Sequence, residues 1–315
     1  MGTETPLKVP VIDFSNPELK PGTAEWDSVK GQVRRALQDY NCFEASFDKI
    51  PAELRGSLFR ALQELFDLPL EAKIRNVSEI PYHGYFGHPL VPLFESLGFE
   101  DANIIEKVED QTRALWPQGN SSFSKTIQTF TKQLSELDQM VRRMILESFN
   151  LEKYMDEHMD STNYVFRTMK YNAPKTNEPK VGLGSHKDKD IITILHQMSE
   201  VDGLAVQNKD GEWIDVNFSK NSFLVIIGES LHAWLNGRLN ATYHRVMMTG
   251  DKERYAVGLF SVPKAGYMIK APEELVDEAH PLLYKPYDYV ELLNFTYTEA
   301  GQVADTSALK VFCGV

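Results

Sequence analysis

Cysteine is nearly absent: Cys42 and Cys313 are the only two in 315 residues. That count excludes a disulfide framework and any zinc site built from several thiolates, and it suits a reducing compartment. Long apolar runs are missing too, since no stretch approaches the roughly eighteen uninterrupted apolar residues of a membrane span. The opening MGTETPLKVPVIDF lacks a basic segment followed by an apolar one. Pro6 stands where a myristoylation signal at Gly2 needs Ser or Thr, and Cys313-Gly314-Val315 is no prenylation box. The expectation is a cytoplasmic protein, neither secreted nor tied to a membrane. Positive charge is in deficit, with 33 Lys and Arg against 45 Asp and Glu and no basic cluster longer than Arg142-Arg143. A net charge of −12 gives no grip on a phosphate backbone, so nucleic acid is not an expected partner. Walker loops, Gly-x-Ser-x-Gly elbows, His-Glu-x-x-His pairs and Gly-x-Gly-x-x-Gly turns are absent as well.

What is present is 42% hydrophobic residues, ample for a sizeable core. Lys8 to Phe14 and Asn41 to Phe47 read as strands, and Ala24 to Asp39 and Leu54 to Phe66 carry helical apolar spacing. Ile80 to Phe99, rich in aromatics, Gly and Pro, reads as a loop lining a site. Phe123 to Phe149 is the strongest helical pattern, and its stripe reads as a core face. After about residue 160 short runs follow one another between turn signals: YVFRTMKY, IITILHQM, SFLVIIG, HRVMMTG and RYAVGLFSV, with a hairpin about Lys209-Asp210-Gly211. Such spacing indicates an antiparallel sandwich or barrel. Tyr287 to Tyr297 reads as a terminal helix.

His-x-Asp occurs twice. His158-Met159-Asp160 falls at the end of the long helical pattern and reads as a solvated helix terminus. His186-Lys187-Asp188 precedes a strand, and residues i and i+2 on a strand or strand end point to one side, so both side chains can reach one ion. His244, 56 residues after Asp188, is the candidate third ligand. Two imidazoles and one carboxylate leave three positions of an octahedral ion open, as in non-haem Fe(II) oxygenases; the same ligand types also serve catalytic zinc. Arg254 begins the next strand, ten residues on. Buried there, its guanidinium would need an anion, which a dicarboxylate supplies through a bidentate pair. The competing reading is a surface arginine closing the turn Asp251-Lys252-Glu253.

The chain resembles the plant 2-oxoglutarate and Fe(II)-dependent dioxygenases of specialised metabolism, most of all their AOP-like branch. The likeness runs through VPVIDF, FDLPLEAK, LFESLGFEDAN, GSHKDKDIITILHQ, GLAVQNKDGEW and HRVMMTGDKERYAVGLFSVPK. It implies a mainly β fold with flanking helices around a double-stranded β-helix, or jelly roll. One catalytic domain would span 1–315, with an N-terminal α/β region over 1–120 and the jelly-roll core over 160–300. His186, Asp188 and His244 would bind Fe(II), and Arg254 and Tyr171 the 2-oxoglutarate co-substrate. O2 and a small molecule would be the other reactants and ascorbate a candidate reductant, in a monomer. Two departures stand out: Ala256 where the family has the Ser of Arg-x-Ser, and Met169 where many relatives carry Asn. The loss of a hydroxyl at Ala256 predicts weaker 2-oxoglutarate binding. Alternatives are an Fe(II) oxygenase that does not consume 2-oxoglutarate, a non-catalytic small-molecule-binding relative and, third, a zinc hydrolase.

Overall fold

The computed structural model describes residues 7–219, 221–304 and 308–315. Gly2 and Pro6, which bore on the lipid-anchor expectation, lie outside them.

The amino-terminal third supplies β1 (Val11–Asp13), α1 (Ala24–Tyr40), β2 (Cys42–Ser46), α2 (Ala52–Phe66) and the single turn α3 (Leu70–Lys73). Helix α1 starts where the Thr23 hydroxyl accepts a hydrogen bond from Trp26 N at 3.2 Å, and it ends at Asn41, whose φ of 59° is left-handed. Next come β3 (Phe86–Gly87), β4 (Phe94–Glu100), α4 (Ile105–Leu115) and the long α5 (Ser121–Ser148). The loop expected over Ile80 to Phe99 is therefore corrected at its carboxyl end. Residues Phe94 to Glu100 pair along their whole length with the strand at Thr162–Tyr171. Gly98 weakens the strand signal there, yet the close approach of the His83 carbonyl leaves no room for a Cβ.

Beyond the short α6 (Met155–Asp160) follow β5 (Thr162–Tyr171), β6 (Thr176–His186), β7 (Ile192–Gln197), β8 (Leu204–Gln207) and β9 (Trp213–Asp215). Then come β10 (Ser222–Ile227), α7 (Glu229–Trp234), β11 (His244–Gly250), β12 (Arg254–Pro263) and α8 (Tyr289–Thr296). Eight strands form one sheet in the order β1-β2-β10-β7-β12-β5-β4-β3, and four form a second in the order β6-β11-β8-β9. Two facing, mostly antiparallel sheets with helices outside are the expected jelly roll. The β8–β9 hairpin turns as anticipated, with Gly211 at φ +85°.

Strand β10 explains why SFLVIIG is apolar throughout. Phe223, Val225 and Ile227 face the helices, while Leu224 and Ile226 face the second sheet, so both faces are dry. Helix α5 closes the outer core, with Phe130 against Phe166 and Phe223. The space between the two sheets, partly filled by Leu204, Val206, Ile226, Val246 and Met248, opens at one end into the cavity described next. Among the described residues no helix is long and apolar enough to cross a membrane.

Candidate metal centre

His186 ends β6 and His244 begins β11, and the two are direct cross-strand partners, which puts their ring centroids 4.1 Å apart. Asp188 lies in the turn toward β7, where its carbonyl accepts from Glu229 N at 2.8 Å. Its carboxylate stands 3.6 Å from His186 Nε2 and 3.8 Å from His244 Nε2. One donor atom from each of the three lies within 4.8 Å of the others, the one such group among the described residues.

The outer atoms fix the inner ones. His186 Nδ1 donates to Gly184 O at 2.8 Å and His244 Nδ1 to Thr242 O at 3.2 Å, which leaves both Nε2 lone pairs free for an ion. Thr193 Oγ1, 2.6 Å from Asp188 Oδ2, fixes the carboxylate, and the same hydroxyl is 3.0 Å from Asp190 Oδ2. Burial alone would raise the Asp188 carboxyl, but His244, His186 and Thr193 hold it below the usual range. Burial, reinforced by His244, pulls His186 down to about 4, so its ring is neutral near pH 7. Two imidazoles and a carboxylate match a divalent iron site.

His158 is not solvated, contrary to the expectation. It is 4% exposed, its ring lies 4.9 Å from that of Trp234, and its carbonyl accepts from Arg142. The signal misleads because α6 packs back against α5 and Trp234 of α7 after α5 ends.

Arg254 is buried at 2% exposure, which excludes the surface reading. Its one side-chain hydrogen bond among the described residues runs from Nη2 to Gln197 Oε1 at 3.4 Å, and Nε is buried with no partner. A desolvated guanidinium without a carboxylate is expensive, and a bound dicarboxylate would remove that cost. Tyr171 is the cross-strand neighbour of Arg254, its ring centroid 5.2 Å from the guanidinium, and burial raises its phenol to about 12. The two departures adjoin each other: Ala256 pairs with Met169 on one side and Gln197 on the other.

All five residues line one cavity of about 440 Å³. Of the aromatics in the Gly/Pro-rich segment, Tyr82, Phe86 and Phe94 reach it, as does Phe260 on β12. Phe99 packs on Phe123 in the core, and Tyr85 donates to Glu95. Sequence reasoning missed Arg167, Tyr289 and Leu293, which also line the space. Arg167 had a signal, being a charge on the same strand face as Tyr171; the carboxyl-terminal helix gave none, because only tertiary packing brings it here.

Residues 157–263 match the model of the 2OG-Fe(II) oxygenase superfamily, and residues 9–95 that of the non-haem dioxygenase in morphine synthesis N-terminal region. The probable 2-oxoglutarate-dependent dioxygenase AOP1.2 of Arabidopsis thaliana is 56% identical over 312 residues, covering 97% of this chain and 96% of that one. The 2-oxoglutarate-dependent dioxygenase AOP3 of the same plant is 39% identical, covering 100% of this chain and 99% of its own. Among solved structures, the dioxygenase for auxin oxidation in rice superposes with a TM-score of 0.81 at 27% identity, over 97% of this chain and all of that one.

Proposed function

Because the chain belongs to the 2OG-Fe(II) oxygenase superfamily and is a 2-oxoglutarate-dependent dioxygenase, we propose that His186, Asp188 and His244 hold its Fe(II), and that Arg254 with Tyr171 receives the distal carboxylate of 2-oxoglutarate. The observation that carries this reading is the convergence of the three donors on a cavity whose wall holds a buried guanidinium with no salt-bridge partner among the described residues. The substrate oxidised is a small specialised metabolite, in keeping with the size and aromatic lining of the cavity. The chain works as one catalytic unit, since β1 to β4 of the amino-terminal region extend the same sheet that carries Tyr171 and Arg254.

When bound, Fe(II) supplies the centre at which decarboxylation of 2-oxoglutarate is coupled to oxidation of the substrate. The remaining work belongs to the protein. Gly184 and Thr242 carbonyls hold the histidine rings in one tautomer, and Thr193 holds the Asp188 carboxylate. Arg254 orients the co-substrate by one end, so that its keto acid end points toward the histidines. Tyr82, which lines the cavity, stacks on Tyr297 just after α8 with centroids 5.1 Å apart, and so ties the amino-terminal region to the carboxyl-terminal helix.

Anaerobic titration with Fe(II) and 2-oxoglutarate tests the assignment through the visible band of the ternary complex. The band is expected to vanish in His186→Ala, and Arg254→Leu is expected to need at least about tenfold more 2-oxoglutarate. A full-strength band in His186→Ala would mean that the wrong ligands were chosen. Succinate formed in step with substrate oxidation separates this reading from an iron oxygenase that leaves 2-oxoglutarate intact.

A further inference from the structure

Arg167 sits on β5 with glycine on either side: Gly98 on β4 and Gly258 on β12 are its cross-strand partners. It shares the cavity face with Met169 and Tyr171, because alternate residues of a strand point the same way. A Cβ at Gly98 would stand 3.4 Å from Nη1, so the glycine at that partner position leaves room for the guanidinium, which lines the cavity. Nη2 donates to Ser96 Oγ, while Nη1 is buried with no partner, and no carboxylate pairs with the group among the described residues. Burial pulls it down to about 10, so it stays charged at neutral pH.

That charge is not accounted for by the co-substrate. Arg167 lies four residues from Tyr171 along the strand, about 13 Å away. Of the two carboxylates of 2-oxoglutarate, one would be taken by Arg254 and the other by the ion held at His186, Asp188 and His244. A second polar group faces the same space: Tyr289, 5% exposed, at the start of α8. Its hydroxyl is 3.4 Å from His83 Nε2, and His83 Nδ1 is 2.7 Å from Glu100 Oε1, which Ser78 also approaches at 3.1 Å. The phenol is thus held by a chain of three side chains and lines the same cavity as Arg167.

We propose that Arg167 and Tyr289 form a subsite for an anionic group, a carboxylate or a sulfate, on the substrate that is oxidised. The apolar remainder of that molecule lies against Phe86, Phe260, Val262 and Leu293, which line the same cavity. An oxyanion there gives Nη1 a charge-assisted partner and takes the phenol's one proton in place of its long 3.4 Å contact with His83 Nε2; a neutral amide offers its carbonyl as an acceptor but brings no charge to the guanidinium. The assignment rests on the oxygenase reading, since it makes the cavity the place of oxidation.

The test uses the full-length protein, loaded without oxygen with Fe(II) and 2-oxoglutarate and titrated calorimetrically with matched probes. These are 3-phenylpropanoate, 4-phenylbutanoate and 6-phenylhexanoate, their primary amides, and the sulfate esters of the corresponding alcohols. At least one anion is expected to bind about tenfold or more tightly than its amide. Arg167→Gln is expected to bring acid and amide within about twofold, Tyr289→Phe to give an intermediate ratio, and Arg167→Lys to retain part of the preference. Comparison of the sulfate and carboxylate arms identifies the anion. No anion favoured over its amide in the native protein, or an undiminished preference in Arg167→Gln, overturns the subsite. The Fe(II) and 2-oxoglutarate complex is titrated first: its failure in the native protein sinks the underlying reading, whereas its normal formation followed by equal acid and amide affinities sinks the subsite alone.

Discussion

A single hydroxyl separates Arg254-Tyr255-Ala256 from the family's Arg-x-Ser. Ala256 is 4% exposed on the cavity face, beside Met169 and Gln197, so the polar side chain that this position would offer the co-substrate is replaced by an apolar pair. Gln197 Oε1 engages Arg254 at a long 3.4 Å. Ala256→Ser should therefore tighten 2-oxoglutarate binding by about fivefold, the worth of one added hydrogen bond. The dissociation constant from anaerobic titration measures this, and an unchanged constant would remove Ala256 from the account of affinity.

Elements are held to one another by buried polar groups as much as by apolar packing. Asp138 on α5 is fully buried and accepts from Arg142 Nε at 2.9 Å, from Tyr164 Oη on β5 at 2.8 Å and from Ser261 Oγ on β12. Arg142, 1% exposed, also donates to Thr162 Oγ1 and to the His158 carbonyl. This network clamps the long helix onto the strands that carry Tyr171 and Arg254. Asp138→Ala would leave a guanidinium buried without its carboxylate and should cost about 3–5 kcal/mol of stability, against about 1 kcal/mol for Tyr164→Phe. Urea unfolding of the two variants compares them, and equal losses would show that the ion pair is not what joins helix to sheet.

For the molecule as a whole, acid sensitivity follows from histidines folded in their neutral form. His196 is 4% exposed, donates from Nδ1 to Ser222 O at 2.8 Å and stacks on Phe223; burial lowers it from the usual 6.5 to about 4. His158 is held well below 6.5 by burial and by Arg142. The unfolded chain takes up protons near pH 6.5 that these folded rings refuse. Their contribution is thus complete above pH 6.5, is lost as pH falls toward 4, and adds no further slope below the folded values. For His196 the loss is at most roughly 3 kcal/mol. Urea midpoints between pH 7 and pH 4 should fall less steeply in His196→Gln than in the native protein; identical slopes would contradict this origin.

Much of the architecture is legible in the residues because periodicity reports burial: α1, α2, α5 and β10 to β12 stand close to where their apolar spacing puts them. The candidate metal site is legible for a similar reason, since His186-x-Asp188 is local and His244 opens a recognisable strand. Strand β4 is not, because Gly98 and its aromatic neighbours look like a loop until β5 lies beside them. Neither is the burial of His158, which depends on α6 folding back beneath Trp234. The sequence alone determined which groups can hold an ion and which segments must be dry, since side-chain chemistry and strand or helix period are local properties. Only the tertiary structure decided that Arg254 and Arg167 are both buried in one cavity with no salt-bridge partner among the described residues, because the absence of a partner depends on every strand and helix that packs around them.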